Sequence, residues 1–203
     1  MIPIDAENRS IEHEPMVRLV WLVAVVGCSG DIDAGGVNPG STTDARGAID
    51  EPSALVGITL AHNEARAAVQ TATPLPSLTW SPALAATAAA WVAKCRDSDA
   101  PSGLLDHNDD RSDGHPYYVG ENIYASSGQA DPQQAVQDWM SEQADYSYTN
   151  NSCSGVCGHY TQVVWRDTLE VGCAVGACPG LQFSNTIVCD YGPGGNVNGE
   201  RPY

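Results

Sequence analysis

The chain contains few basic residues: 9 Lys and Arg stand against 25 Asp and Glu, a formal net charge of −16. Nucleic-acid binding depends on Lys and Arg, which neutralise phosphates and release counterions, so this composition argues against a nucleic-acid partner. The same shortage argues against electrostatic attachment to anionic membranes. An acidic surface that keeps the protein soluble is the simpler explanation of the charge.

No apolar run in the chain is long enough to span a bilayer, which takes about 20 residues. The run at residues 19–26 follows Arg18 and has the length of the apolar region of a secretory signal. Acidic residues precede it, so Met16 is the more natural start. The run ends Val-Val-Gly-Cys, which resembles a bacterial lipobox with Cys28 as the lipidated residue. We therefore predict a signal segment at residues 1–28, with an ordinary signal and an incidental cysteine as the alternative.

Residues 29–52 contain few large apolar side chains and are rich in Gly, Ser, Asp and Thr. Such a segment cannot bury a core, so we predict a flexible tether there. The composition changes at Ser53, and residues 53–203 are predicted to form one domain. A lipid at Cys28 would be the only membrane attachment and would place the domain in a bacterial cell envelope. Without it, the domain is expected to be extracellular.

The seven cysteines include no Cys-x-x-Cys pair, which is the spacing typical of a zinc ribbon. Cys28 stands apart from the other six. Those six are Cys95, Cys153, Cys157, Cys173, Cys178 and Cys189. Disulfides are the better interpretation, and they indicate an oxidising compartment. The spacing alone does not choose among the pairings that six cysteines allow.

Familiar catalytic motifs are also absent from the sequence. There is no Gly-x-Ser-x-Gly nucleophile elbow and no His-Glu-x-x-His metalloprotease helix. No nucleotide-binding glycine motif and no internal repeat occur either. These absences weaken the case for an enzyme.

Apolar spacing predicts three helices. The first covers residues 53–69 with Ser53 as its N-cap, the second starts after Ser81 with Pro82 in its first turn, and the third starts after the cap Asp131. The second helix is predicted to present one apolar face, made of Leu84, Ala88, Trp91 and Cys95.

Short β-branched or aromatic runs predict three strands at residues 160–165, 171–175 and 186–191. Three helices with three or four strands indicate a layered α/β sandwich. A long loop at residues 96–119 separates the second helix from the rest. Loops of this length in compact domains are usually functional or mobile.

Five ordered motifs resemble the CAP superfamily, which comprises cysteine-rich secretory proteins, antigen 5 and plant pathogenesis-related class 1 proteins. GHYTQVVW at 158–165 resembles the first signature of this family, and VCDYGPGGN at 188–196 resembles the second, with Gly where many members have Asp or Glu. GEN at 120–122, HNxxR at 62–66 and LxW at 78–80 match three further motifs.

The resemblance runs from about residue 55 to residue 203 and implies a disulfide-stapled, three-layer α-β-α sandwich. Similarity to plant members implies the cysteine pairing. The implied bonds are Cys95–Cys178, Cys153–Cys157 and Cys173–Cys189.

Family members carry two histidines and two glutamates around a central cleft. Carried over to this chain, these are His107, Glu121, Glu142 and His159. Imidazole and carboxylate groups are good ligands for zinc and other divalent cations, so the resemblance implies a metal site. His115 is the alternative to His107. Tyr160 and Gln162, which alternate along the predicted strand, are expected to line the cleft.

Two functions follow from the resemblance. The first is a non-catalytic binding module for a lipid, a sterol or a protein. The second is a metal-dependent hydrolase or peptidase, with Glu121 or Glu142 as general base and His107 and His159 as ligands. In a third interpretation the cluster only stabilises the fold. His62 and Arg66, four residues apart on one helix, are expected to form hydrogen bonds within the fold.

Overall fold

The computed structural model describes residues 50–203, and the predictions for the signal segment, Cys28 and nearly all of the tether lie outside these residues. The helices are α1 (Ile58–Ala68), α2 (Pro82–Val92), α3 (Pro132–Ser141) and α4 (Gly158–Val163). The strands are β1 (Thr79–Trp80), β2 (Gly120–Ser126), β3 (Tyr146–Ser147), β4 (Ser152–Cys153), β5 (Glu170–Ala177) and β6 (Asn185–Gly192). Among the helices of residues 50–203, none has the length and apolar character needed to cross a membrane.

The main sheet has the strand order β1-β5-β6-β2. The short strand β1 runs parallel to β5, whereas β5, β6 and β2 are antiparallel neighbours. The strands β3 and β4 form a separate antiparallel pair. The two strands predicted at 171–175 and 186–191 are confirmed as the central strands β5 and β6. The edge strand β2, which carries Glu121, was not predicted.

Helices cover both faces of the sheet. Side chains alternate between the faces of a strand, so neighbouring residues of β5 and β6 enter different cores. Ala174 and Val188 pack against α2, while Cys173 and Cys189 face the core formed with α1, α3 and α4. The predicted three-layer α-β-α sandwich is thereby confirmed.

Gly172 allows α2 to approach the sheet closely. A Cβ atom at this position would lie 2.2 Å from the backbone nitrogen of Ala85 and 2.4 Å from the carbonyl oxygen of Ser81. Both atoms belong to the backbone at the start of the helix, which a small side-chain movement cannot relieve. The glycine therefore fixes the spacing between α2 and β5.

The helix starts agree only partly with the predicted caps. Asp131 caps α3 as predicted, because its carboxylate accepts a hydrogen bond from the backbone N–H of Gln134 at 2.8 Å. Ser53 does not cap α1; it begins a separate 3-10 turn, and the carboxylate of Glu51 accepts from the N–H groups of Gly57 and Thr59. Glu51 thus belongs to the fold although it lies within the predicted tether.

The three disulfides pair as the resemblance implied: Cys95–Cys178, Cys153–Cys157 and Cys173–Cys189. The predicted apolar face of the second helix is correct for its first three residues but not for Cys95. The helix ends at Val92, and Cys95 follows it in a left-handed backbone conformation, half-buried. The disulfide therefore ties the end of this helix to the end of β5.

The prediction of a strand at residues 160–165 is wrong, because α4 occupies most of this segment. The run is rich in β-branched residues, yet it is too short for its periodicity to distinguish helix from strand. Tyr160, Val163 and Val164 are all fully buried. Their spacing of three and four residues places them on one side of a helical turn.

Candidate functional site

The first histidine–glutamate pair joins the long loop to the edge strand β2. His107 Nδ1 lies 2.6 Å from Glu121 Oε1, and the backbone N–H of Asn108 donates to the same oxygen at 2.9 Å. The side chain of Glu121 is fully buried, whereas that of His107 is 46% exposed. A buried carboxylate thus holds a histidine that remains accessible to solvent.

Asp190 lies behind this pair, and the sequence patterns did not indicate its role. It is the direct cross-strand partner of Glu121 and is fully buried. Within residues 50–203, neither carboxylate oxygen of Asp190 nor Oε2 of Glu121 has a hydrogen-bond partner. Burial, followed by repulsion from the Glu121 carboxylate, raises the pKa of Asp190 to about 8. At neutral pH, Asp190 is therefore the protonated member of a buried carboxyl pair.

The second pair joins the end of α3 to the start of α4. His159 Nδ1 lies 2.5 Å from Glu142 Oε1, while Glu142 Oε2 accepts from the backbone N–H groups of His159 and Tyr160 at 2.9 and 3.1 Å. These N–H groups belong to the first turn of α4, where no partner exists within the helix. Glu142 therefore orients the histidine ring and caps the helix that carries it.

A buried tryptophan supports the second pair. Trp139 is 2% exposed, its ring stacks on that of His159 at a centroid distance of 6.3 Å, and its indole N–H donates to the carbonyl of Ile123. Trp139 precedes Glu142 by three residues, so this buried side chain anchors the end of α3 next to the glutamate.

The two pairs flank the beginning of β2. Glu121 and Asn122 are consecutive, so their side chains leave the strand on opposite faces. Glu121 contacts His107, and the Asn122 amide donates to the carbonyl of His159 at 3.1 Å. Within residues 50–203, no three His, Cys, Asp or Glu side chains are grouped closely enough to hold a metal ion. The four predicted ligands thus form two pairs.

The structure separates the remaining candidates from these pairs. His115 Nε2 lies 2.9 Å from the hydroxyl of Thr87 on α2, and the His115 ring stacks on Tyr117, so His107 rather than His115 meets Glu121. Tyr160 and Gln162 are 0% and 1% exposed. A helix replaces the predicted strand and directs both side chains inward, and the prediction that they line the cleft stays a prediction.

His62 and Arg66 form hydrogen bonds within the fold, as expected. The fully buried Arg66 guanidinium donates to four backbone carbonyls, those of Pro76, Val163, Trp165 and Thr168. Burial lowers the pKa of Arg66 to about 10. This arginine ties α1 to the segment that follows α4 without a carboxylate partner among these contacts.

His62 belongs to a buried hydrogen-bond chain. Its Nδ1 lies 2.7 Å from the carbonyl oxygen of Ile58, and its Nε2 lies 2.8 Å from the hydroxyl of Tyr191. That hydroxyl also contacts the Asn122 amide nitrogen at 3.2 Å. Burial lowers the pKa of His62 to about 4, so the ring is neutral at physiological pH.

A surface cavity of about 680 Å³ lies elsewhere on the domain. It is lined by residues 70–73 together with Tyr148, Arg166 and Tyr203. None of the four residues of the histidine–glutamate pairs contributes to its wall. The chemistry of the pairs and this cavity are therefore separate features.

Comparison with known proteins places this chain in a family. Residues 59–191 match the model of the cysteine-rich secretory protein family, abbreviated CAP. Mouse GLIPR1-like protein 1 is 37% identical over 164 residues, covering 76% of this chain and 66% of the mouse protein. The chain thus spans about two thirds of the length of that relative.

Shorter relatives and a solved structure agree. Pathogenesis-related protein 1 of Arabidopsis thaliana is 40% identical over 143 residues, which cover 70% of this chain and 78% of the plant protein. The structure of Schistosoma mansoni venom allergen-like protein 4 is similar with a TM-score of 0.56 and 27% identity, covering 75% of this chain and 94% of that one. The family match, these relatives and the three disulfides together lead to one conclusion: the chain belongs to the cysteine-rich secretory protein (CAP) family.

Proposed function

We propose that this domain is a non-catalytic extracellular binding module whose site is built on the two histidine–glutamate pairs. The observation that supports binding over hydrolysis is the occupancy of the carboxylates. Both oxygens of Glu142 already accept hydrogen bonds, from the His159 ring and from two backbone N–H groups. A carboxylate engaged in this way is not free to take a proton from water.

Glu121 is unsuited to base chemistry for a different reason. Its side chain is fully buried, and its Oε1 accepts from His107 and from the backbone of Asn108. A general base must come within hydrogen-bond reach of the proton it abstracts. The hydrogen bonds of both glutamates and the burial of Glu121 therefore support the interpretation that the glutamates orient the histidines.

The donor chemistry of the pairs fits a divalent cation bound through imidazole. An ionised carboxylate only accepts, so Nδ1 of each paired ring carries the hydrogen and Nε2 keeps its lone pair. Within residues 50–203, no hydrogen bond occupies Nε2 of His107 or His159. Carboxylates commonly orient metal-binding histidines in this way. We therefore propose that His107 and His159 hold a cation, zinc being the first to test, and that the two glutamates orient the rings.

Calorimetric titration of zinc into the chelator-treated protein tests this site. The unchanged protein is expected to bind zinc, and His107→Ala and His159→Ala should each weaken binding at least tenfold. His115→Ala is the matched control, because it removes an imidazole of the same domain that contacts neither glutamate. Absence of zinc binding, or affinity that survives in both histidine variants, would reject the metal site.

A second experiment separates a binding module from a hydrolase. We expect no turnover of a peptide and ester library by the zinc-loaded protein. Turnover that disappears in Glu142→Gln would instead establish a metal-dependent hydrolase. Cholesterol or a fatty acid retained through purification would identify a lipid or sterol as the ligand, and a lipid-free extract would favour a protein ligand.

The location of the protein is part of the proposal. Three disulfides form and persist in oxidising compartments, so we place the domain outside the cytoplasm. We propose that Cys28 is lipidated and attaches the domain to a bacterial cell envelope. Mass spectrometry of the mature N-terminus tests this attachment, and Cys28→Ser should release the protein into the medium. An unmodified Cys28 in a freely secreted protein would contradict the anchor.

A further inference from the structure

The backbone N–H and the backbone carbonyl of His159 both form hydrogen bonds with side chains. Glu142 accepts from the backbone N–H of His159, and the Asn122 amide donates to the carbonyl oxygen of the same residue. Asn122 is 1% exposed, so its amide competes with little water at this position. Glu142 contacts the His159 ring and Asn122 contacts its backbone carbonyl. Together these two contacts restrict the position of the imidazole.

The direction of the Asn122 amide follows from the buried chain that begins at His62. The carbonyl oxygen of Ile58 only accepts, so Nδ1 of His62 carries the hydrogen and Nε2 accepts. The hydroxyl of Tyr191 must therefore donate to His62 Nε2, which leaves its oxygen to accept from Asn122. The Asn122 side chain consequently presents its NH₂ group to Tyr191, and the second hydrogen of that group points to the His159 carbonyl.

The chain has one direction because His62 is neutral. A protonated ring would donate from both nitrogens and could no longer accept from the Tyr191 hydroxyl. The tilted and edge-on contacts of His62 with Trp139 and Tyr191 keep the ring enclosed. The donors accordingly run from Asn122 through Tyr191 and His62 to the backbone of α1.

We propose that Asn122 is a positioning residue for His159, oriented by the hydrogen-bond chain through Tyr191 and His62. Since Glu121 is its neighbour and contacts His107, the dipeptide Glu121–Asn122 at the start of β2 contacts both histidines. This inference deepens the proposed function and depends on it only for the metal-binding measurement.

The decisive measurement uses the metal-free protein with ¹⁵N-labelled histidine. In Asn122→Ala, we expect the Nδ1–H signal of His159 to shift and its solvent exchange to accelerate about tenfold, while the His107 signal stays unchanged. Asn185→Ala is the matched control, because Asn185 also donates to a backbone carbonyl, that of Gly128, on the same sheet. An unchanged His159 signal in Asn122→Ala would overturn the proposal.

Tyr191→Phe provides a second variant that keeps the buried ring. It removes the hydroxyl that orients the amide, so a smaller change of the same His159 signal is expected. If neither variant folds, the unchanged protein still decides the question. A scalar coupling across the hydrogen bond from Asn122 Nδ2 to the carbonyl carbon of His159 is expected, and its absence would refute the positioning role.

Zinc affinity extends the test to function. Asn122→Ala should weaken zinc binding about tenfold, in the range typical of residues that support a metal ligand. The effect should vanish in a His159→Ala background, where no ring remains to be positioned, and persist in His107→Ala. Failure of the unchanged protein to bind zinc would reject the metal site, while the histidine signals would still report on Asn122 alone. An equal loss in both backgrounds would indicate general destabilisation and contradict the proposal.

Discussion

The two histidine–glutamate pairs use the same atoms in opposite environments. In the pair on the long loop, the glutamate is fully buried beside Asp190 while His107 is 46% exposed. In the pair at α4, the two side chains are about equally exposed, at 17% for His159 and 15% for Glu142. Both Glu142 oxygens accept hydrogen bonds, whereas Oε2 of Glu121 has no hydrogen-bond partner among residues 50–203.

The difference shows that the same histidine–glutamate contact can stabilise the fold in one place and accompany a cost in stability in another. Glu142 satisfies backbone groups that α4 needs, so it contributes to stability as well as to ring orientation. Glu121 instead lies opposite Asp190, which at neutral pH keeps a proton that the unfolded chain releases, and holding this proton costs free energy. The pair at α4 is thus part of the fold, while the pair at His107 is maintained at a cost in stability.

The largest expected effect concerns the disulfides that adjoin the two pairs. Cys95–Cys178 closes a separation of 83 residues at the start of the loop that carries His107, and Cys153–Cys157 closes a separation of 4 beside α4. The loop-entropy relation gives a loss of about 4.5 kcal/mol for the first bond and about 2 kcal/mol for the second. Urea unfolding of Cys95→Ala/Cys178→Ala and Cys153→Ala/Cys157→Ala measures both losses.

These variants also test whether each disulfide affects the histidine–glutamate pair next to it. Zinc binding in Cys153→Ala/Cys157→Ala should fall through His159, because Cys157 immediately precedes α4. Equal unfolding free energies for the two double variants would contradict the assignment of the larger entropic effect to Cys95–Cys178.

Replacing each glutamate by glutamine should separate the two pairs next. Glu142→Gln places an NH₂ group against N–H donors and should lower the free energy of unfolding by about 2 kcal/mol. Glu121→Gln should cost less than about 1 kcal/mol, since its new NH₂ group can donate to the Asp190 carboxyl, which has no hydrogen-bond partner in the described part of the chain. Urea denaturation at pH 7 measures the two values. A larger loss in Glu121→Gln would reverse the comparison drawn between the pairs.

A pH dependence of stability is expected from Asp190. Its pKa is 3.8 when unperturbed and about 8 in the folded protein, so the folded state keeps a proton that the unfolded state releases. The stability from this group is fully present below pH 3.8 and is lost as pH rises to about 8. The slope is about 1.4 kcal/mol per pH unit. Asp190→Asn should remove this decline in the unfolding free energy measured between pH 6.5 and 7.5.

His62 contributes the opposite slope over a lower range. Burial depresses its pKa from 6.5 to about 4, so its stability is present above pH 6.5 and lost as pH falls to about 4. The two slopes oppose each other below pH 6.5, and Asp190 acts without His62 above it. A decline that persists in Asp190→Asn above pH 6.5 would contradict the assignment to the carboxyl pair.

Strong local patterns predicted much of the architecture. The Asp131 cap of α3, the proline start of α2 and the two central strands rest on spacing and on chemistry within a few residues. The strand prediction at residues 160–165 was wrong because this short run fits the helical and the strand periodicity equally well. Packing against α1 and α3 favours the helix. The strand β2 had no local signal that distinguished it from the end of the preceding loop.

The candidate site residues were chosen through motifs that resemble a family. The motifs did not indicate which of these residues form hydrogen bonds with one another. His107, Glu121, Glu142 and His159 were expected as four ligands of one ion, and the structure arranges them as two pairs. Asp190 and Asn122 stand inside recognised motifs, but nothing in a single motif reveals a cross-strand partner. The register Glu121↔Asp190 joins segments almost seventy positions apart in the chain.

By itself, the sequence determined the composition of the domain, most of its helices and central strands, and the residue types that gather near β2. These properties depend on neighbours along the chain, where capping, periodicity and side-chain chemistry act over a few residues. Only the tertiary structure decided which oxygen of which glutamate faces which nitrogen, and which carboxyl group keeps a proton. Hydrogen bonding and desolvation act over a few ångströms in space, so these choices exist only after distant segments have been packed together.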